Sequence, residues 1–97
     1  MATPKKAKRG KHRWVAISTT IDTSREDLDI FFSQCFDGVE IRVFDIIKSI
    51  NSTNIIVKVP LPHYRSFLKE INDHSDYYSI TSSGKIRLVR SRMLGLG

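Results

Sequence analysis

The sequence is 97 residues long and 40% hydrophobic, which is enough for one domain with a modest core but not for a deep catalytic cleft. No stretch is long and apolar enough for a membrane span, and no apolar run follows the basic start closely enough for a secretory signal. The single cysteine, Cys35, excludes a disulfide framework, so we expect a cytoplasmic protein. The three histidines lie far apart without a cysteine at metal-ligand spacing, so we expect no metal site.

The net charge of +6 is concentrated at the two ends of the sequence. The first thirteen residues contain six lysines and arginines and no acid, and the last thirteen contain four and no acid. The intervening residues, 14–84, contain six basic and ten acidic side chains. Two acid-free basic segments are the electrostatic pattern expected of a protein that binds a polyanion.

The chain is predicted to begin with a disordered basic tail over residues 1–12, which are rich in lysine, arginine and small residues. A single α/β RNA-binding domain is expected over residues 13–94. Its first strand is predicted over about 13–21, because Val15 and Ile17 alternate with small residues and the stretch is rich in β-branched side chains.

The next element is predicted to be a helix that begins at Thr23, where Thr23 and Glu26 fit a capping box. Gly38 suits the left-handed position that follows a helix. Apolar side chains recur at helical spacing and form one face, which we expect to be the largest block of the core: Leu28, Phe31, Phe32, Cys35 and Phe36.

Two strands follow and are predicted to form a hairpin. Alternating apolar residues predict a strand from Val39 to about Ile47. The polar segment 49–54 turns the chain, and the apolar run 55–59 predicts the partner strand. Pro60 ends this strand because it has no N–H group to donate to the sheet.

The last predicted elements are a second amphipathic helix over about 63–73 and an extended region over 77–89 that is interrupted at 82–84. The order of elements is therefore β-α-β-β-α-β. This order predicts an α+β fold of the ferredoxin-like, or RNA-recognition-like, type, with a four-stranded antiparallel sheet and two helices on one face.

Such a sheet leaves its second face free, and the alternation along the first strand places Trp14 on that face. A tryptophan there can stack on unpaired RNA bases or pack structurally at the end of the sheet, and both interpretations stay open. The first and last strands are neighbours in this fold, so we expect Arg13 to join Lys85 and Arg87 in one basic patch. The predicted RNA-binding residues are Lys8, Arg9, Lys11, Arg13, Trp14, Lys85, Arg87, Arg90 and Arg92.

No catalytic residue is predicted. The sequence lacks the nucleotide-binding, nucleophile-elbow and zinc-protease motifs. Helix capping and helical spacing explain the acidic residues at the start of the first helix: Asp22, Glu26, Asp27 and Asp29. Cys35 lies on the apolar face of that helix, where a buried and unreactive thiol is expected.

Short segments along residues 11–94 resemble the archaeal and eukaryotic family of ribonuclease P protein component 2. The opening Lys11-His12-Arg13-Trp14-Val15-Ala16-Ile17 resembles the family's basic start and first strand, although tyrosine and phenylalanine are commoner at positions 14 and 17. The ending Ser83-Gly84-Lys85-Ile86-Arg87, followed by Arg90 and Arg92, is similar to a serine-glycine-x-isoleucine stretch, with Lys85 in place of the usual threonine. A helix like residues 63–68 lies between them, and the connection before Val39 is shorter than in most members.

The resemblance implies a non-catalytic protein subunit that binds and activates a catalytic RNA. In ribonuclease P the RNA and its bound Mg²⁺ cleave the 5′ leader from precursor tRNA, so the protein itself would bind no cofactor. The implied partners are ribonuclease P RNA, precursor tRNA and ribonuclease P protein component 3. A homodimer within a heterotetramer is compatible with the resemblance, and the oligomeric state stays open.

Two alternatives also stay open. The first is a stand-alone RNA-binding domain of the RNA-recognition type, although the predicted third strand, 55–59, lacks the aromatic residues that such domains place there. The second is a small-molecule regulatory or assembly domain with the same order of elements. This second alternative leaves the acid-free ends of the chain unexplained.

Overall fold

The computed structural model describes residues 12–96, so the predicted tail lies outside the described residues except for His12. A short 3₁₀ turn, Leu61–His63, leads into the second helix. The helices and strands, in chain order, are β1 (His12–Thr19), α1 (Arg25–Cys35), β2 (Arg42–Lys48), β3 (Thr53–Pro60), α2 (Tyr64–Asp73), β4 (Tyr77–Ser83) and α3 (Ile86–Leu96).

The four strands form one antiparallel sheet in the order β2-β3-β1-β4. The predicted α+β, ferredoxin-like fold is therefore confirmed. β1 lies in the centre between β3 and β4, and every residue of β1 from Val15 to Thr19 is buried. The predicted hairpin of β2 and β3 is also present, closed by a turn in which the Ser49 amide donates to the Ser52 carbonyl at 2.8 Å. β2 begins at Arg42, three residues later than the sequence predicts.

The main core lies between the sheet and the pair α1 and α2. Val15 and Ile17 of β1 face these helices and are fully buried. Phe32 of α1 and Phe67 of α2 meet over them with ring centroids 6.0 Å apart. The predicted apolar face of α1 is confirmed, since Leu28 and Phe32 are buried and Phe31 and Cys35 pack against the same cluster.

The predicted capping box at the start of α1 is wrong by one residue. The capping residue is Ser24, whose hydroxyl accepts a hydrogen bond from the Asp27 amide at 3.3 Å. Thr23 is buried instead, with 5% of its surface exposed. Because adjacent Thr23 and Ser24 can both cap, the pattern in the sequence could not choose between them. Gly38, with a φ of +80°, follows the helix in the predicted left-handed conformation.

The predicted extended region beyond residue 84 is also wrong, because residues 86–96 form the helix α3. Ile86, Val89 and Met93 are spaced i, i+3 and i+7 and form its inner face. The Lys85 carbonyl accepts hydrogen bonds from the amides of Leu88 and Val89 at 3.2 and 3.4 Å and so opens the helix.

α3 packs on the face of the sheet that the sequence predicts to be free. There it forms a second, smaller core with Ala16 and Ile56, both of which are fully buried beneath Val89 and Met93. The open sheet face is thus largely closed. What remains accessible on this side is the outer surface of α3 and the part of the sheet beside it.

Candidate nucleic-acid interface

The pairing of β1 with β4 brings the two ends of the described chain together. Trp14 lies opposite Ser83, and α3 begins three residues after Ser83. The predicted proximity of Arg13 to Lys85 and Arg87 is therefore correct at the level of the backbone. Lys8, Arg9 and Lys11, which were predicted to extend this basic region, lie outside the described residues.

The side chain of Arg13 does not face α3. It lies opposite Val59, on the side of the sheet that packs against α1 and α2. Its guanidinium lies over the ring of Tyr64, 5.5 Å from the ring centroid. Because neighbouring residues of a strand point to opposite faces, Arg13 and Trp14 cannot both belong to the same flat patch. The prediction of one merged patch is wrong for the Arg13 side chain.

The remaining predicted cations lie on the exposed surface of α3 or, in the case of Lys85, directly before it, and they differ in what they contact. The side chains of Lys85 and Arg87 are exposed and make no hydrogen bond or ion pair within the part of the chain that the structure describes. Arg92 donates from Nη1 to Thr81 Oγ1 at 2.9 Å and to the Ser82 carbonyl at 3.1 Å. Both acceptors are neutral, so Arg92 has no ion-pair partner within residues 12–96.

Arg90 is the predicted cation that is already paired. Its Nε and Nη2 donate to the two carboxylate oxygens of Asp45 on β2, at 2.7 and 3.0 Å. These hydrogen bonds, together with the negative charge of Asp45, raise the pKa of Arg90 above its ordinary value. The pair connects α3 to the edge strand β2 and leaves Arg90 less able to attract a phosphate than Arg87.

The acidic residues of the described chain are distributed unevenly among its helices, strands and loops. Asp45 is the only acidic residue within the four strands and α3, and it is the one that pairs with Arg90. The other acidic residues of the described chain lie on α1, α2 or the connecting loops. Apart from Asp45, the strands and α3 carry no acidic side chain, which favours the approach of a polyanion to α3.

Trp14 lies where the basic surface meets the sheet. Its ring is half-buried, packs against the smaller core, and lies at right angles to the rings of Phe44 and His12, with centroids 4.6 and 5.5 Å away. The Nζ atom of Lys58 lies over the indole, 5.7 Å from its centroid. Both interpretations of Trp14 therefore stay open, because its ring packs against the smaller core and part of its surface is still exposed.

Sequence reasoning missed Arg42, Phe44 and Lys58, three residues that lie on the same side of the sheet as Trp14. Arg42 and Lys58 are in the acid-rich middle of the chain, so the counting of charges along the sequence did not mark them. The strand register places Arg42 opposite Lys58 and Lys58 opposite Trp14. Phe44 lies at an irregularity of β2 that shifts its side chain out of the simple alternation.

Two titratable groups on the opposite side of the sheet, Cys35 and Tyr77, have raised pKa values. Burial raises the pKa of the Cys35 thiol, and the nearby charge of Glu70 adds to the effect. Burial likewise raises the pKa of Tyr77, with smaller contributions from Asp76 and other neighbours. Both shifts disfavour the reactive anion near neutral pH. No group of three metal-ligating side chains comes together in residues 12–96, and no helix in that range is long and apolar enough to cross a membrane.

Comparison with known proteins identifies no relative. No family model matches this chain, and neither does any curated protein or any solved structure.

Proposed function

We propose that this chain is a non-catalytic subunit of ribonuclease P, which binds the catalytic RNA and activates it for 5′ maturation of precursor tRNA. The observation that carries the proposal is the pairing of Trp14 with Ser83. It brings together the described parts of the two segments that resemble ribonuclease P protein component 2, residues 12–17 and 83–87. The acid-free helix α3 continues directly from the second segment.

The proposed mechanism is electrostatic. Folding of a large RNA brings phosphates close together, and Mg²⁺ normally offsets their repulsion. Lys85, Arg87 and Arg92 would place three unneutralised cations against such phosphates and release the counterions bound there. The folded, active RNA would then persist at a lower Mg²⁺ concentration. Cleavage itself remains the chemistry of the RNA and its metal ions.

The same proposal includes the partners and the location. It places the chain in the cytoplasm in a complex with ribonuclease P RNA, precursor tRNA and ribonuclease P protein component 3. The basic surface of α3 taken alone, without the resemblance, also favours a stand-alone RNA-binding domain. The two functions differ in whether the bound RNA gains activity.

The test is reconstitution of cleavage. The full chain should produce no cleavage when it is mixed alone with precursor tRNA and Mg²⁺. Added to the cognate ribonuclease P RNA and the partner protein, it should lower the Mg²⁺ concentration needed for cleavage at the mature 5′ end. A triple variant that replaces Lys85, Arg87 and Arg92 with glutamine should raise that requirement again.

A second triple variant serves as the matched control, since it removes the same number of positive charges from the other side of the molecule. In it Lys48, Arg65 and Lys69 become glutamine; two of these residues pair with acids, Lys48 with Asp22 and Lys69 with Asp73. This variant should activate the RNA as the unchanged chain does. Reconstitution that proceeds equally well without the protein at every Mg²⁺ concentration would refute the proposal and leave RNA binding alone.

A further inference from the structure

A row of four side chains crosses one end of the sheet beside α3. The register places Arg42 of β2 opposite Lys58 of β3, Lys58 opposite Trp14 of β1, and Trp14 opposite Ser83 of β4. Residues directly opposite each other in neighbouring strands point to the same face, so the four side chains share one surface. Arg42 is exposed, whereas Lys58 and Trp14 are half-buried.

The aromatic ring in this row contacts a second ring and is covered by a long side chain. Phe44, 38% exposed, lies at 85° to the Trp14 ring, with the ring centroids 4.6 Å apart. The face of the indole is covered by Lys58, whose Nζ atom is 5.7 Å from the ring centroid. Neither Lys58 nor Arg42 has an ion pair within residues 12–96.

We propose that this row binds one unpaired nucleotide of a single-stranded RNA segment. The base stacks on Trp14 in the place that Lys58 now occupies, and the displaced ammonium group and the Arg42 guanidinium contact the flanking phosphates. This inference rests on the proposed RNA-binding function and adds to it a second contact, separate from the outer surface of α3.

The exchange of Lys58 for a base is favourable on physical grounds. A half-buried lysine over an aromatic ring stabilises the fold only modestly, whereas a nucleobase stacked on such a ring contributes more to the free energy of binding. The lysine loses no charge partner among residues 12–96 when it moves, and it gains a phosphate. A duplex cannot make this contact, since its bases are already stacked and paired.

Trp14 is the only tryptophan of the chain, so its fluorescence reports directly on this row. Titration of the full chain with a short single-stranded oligoadenylate should quench that fluorescence to saturation. An RNA duplex of equal nucleotide content should bind with little quenching. Polyglutamate, which offers negative charge without bases, should not quench it either.

Variants then identify the contacts, with binding followed by the anisotropy of a labelled oligoadenylate. Lys58→Met keeps the aliphatic stem on the ring, and together with Arg42→Gln it should weaken binding severalfold. Trp14→Leu keeps apolar packing and should weaken it by roughly tenfold or more. The matched control pairs Lys69→Met with Arg65→Gln on α2 and should bind as the unchanged chain does. Thermal unfolding of each variant verifies that the domain remains folded.

The inference and the proposed function can fail separately. If oligoadenylate leaves Trp14 fluorescence unchanged, or if duplex or polyglutamate quenches it equally, the nucleotide site is refuted, whatever the outcome of reconstitution. Equal binding by the row variants and the α2 control also refutes it. If oligoadenylate quenches the fluorescence as expected but the chain does not activate ribonuclease P RNA, the nucleotide site is supported and the proposed ribonuclease P function is refuted.

Discussion

At the scale of single residues, Asp45 is where the electrostatics of the proposed interface can be tested most cleanly. Its carboxylate is the only negative charge among the strands and α3, and it holds Arg90 in a two-hydrogen-bond pair. Exposed ion pairs contribute little to folding. The same carboxylate repels an approaching phosphate and occupies a cation that could bind one.

Asp45→Asn should therefore strengthen binding of the full chain to a structured RNA such as precursor tRNA. It should also steepen the dependence of log K on log salt by about 0.7–0.9, the contribution of one added phosphate contact. Filter binding across a series of salt concentrations measures both quantities. The thermal midpoint should change little.

The control for this substitution is Asp73→Asn, which breaks the pair between Asp73 and Lys69 on α2. This substitution removes the same charge from the opposite side of the sheet and should leave RNA affinity nearly unchanged. If both substitutions strengthened binding equally, only net charge would matter, and the α3 side would not be the interface.

Several single residues could be placed from the sequence alone. Phe32 is buried as its position on the α1 face predicts, with 2% of its surface exposed. Val15 and Ile17 face the helices and Trp14 faces the other way, as alternation along a strand requires. The same alternation, applied to Arg13, would have predicted its separation from Trp14. The predicted patch was based only on the first and last strands being neighbours in the fold, and it did not consider the face on which the Arg13 side chain lies.

At the scale of secondary structure, α3 is the element for which the prediction from the sequence was wrong. Ile86 and Leu88 alternate with basic residues, which is typical of a strand, while Ile86, Val89 and Met93 have helical spacing. A segment this short supports both periods, and the preceding β4 favoured continuation as a strand. The segment forms a helix because this conformation places Val89 and Met93 on one face, where they bury the apolar side chains of Ala16 and Ile56.

Ser91, exposed in the middle of α3, provides a test of this element. Ser91→Pro should remove a helical hydrogen bond and clash with the preceding turn, at a cost of about 3 kcal/mol within a helix. It should lower the thermal midpoint, reduce the helical circular dichroism signal and weaken RNA binding.

The matched substitution Ser91→Ala tests the same position without breaking the helix. Alanine has the highest helix propensity, so stability should be equal or slightly greater and RNA affinity unchanged. Equal unfolding and binding curves for the two variants would show that residues 86–96 are not helical in solution.

At the scale of the whole molecule, the basic surface should extend beyond α3 through the charges of residues 1–11. That segment contains five lysines and arginines and no acid. Deletion of residues 1–11 should reduce the slope of log K against log salt by about 0.7–0.9 for each phosphate contact that is lost. The thermal midpoint should stay the same, because described residues between Trp14 and Met93 form the two cores.

A full-length variant in which those five cations become glutamine separates charge from chain length. It should have the same reduced slope as the deletion. An unchanged slope in both proteins would mean that the segment does not contact the RNA and that binding depends on the folded domain alone.

The sequence by itself determined the order of the first six elements, the antiparallel sheet, the main core and the basic character of both ends. These features depend on local periodicity, turn residues and charge counts, all of which are visible within short segments of the sequence. The sequence also supplied most of the predicted cations of the interface, because they lie in acid-free runs.

Only the tertiary structure decided which of those cations are already in an ion pair and which other residues lie beside them. The pairing of Arg90 with Asp45, and the row formed by Arg42, Lys58 and Trp14, depend on strand register and on the packing of α3. These contacts join residues that are far apart in the chain, and a shift of one residue in register would move each side chain to the opposite face. Strand order and register join residues from distant segments, so which cations become neighbours was decided only when the strands paired and α3 packed on them.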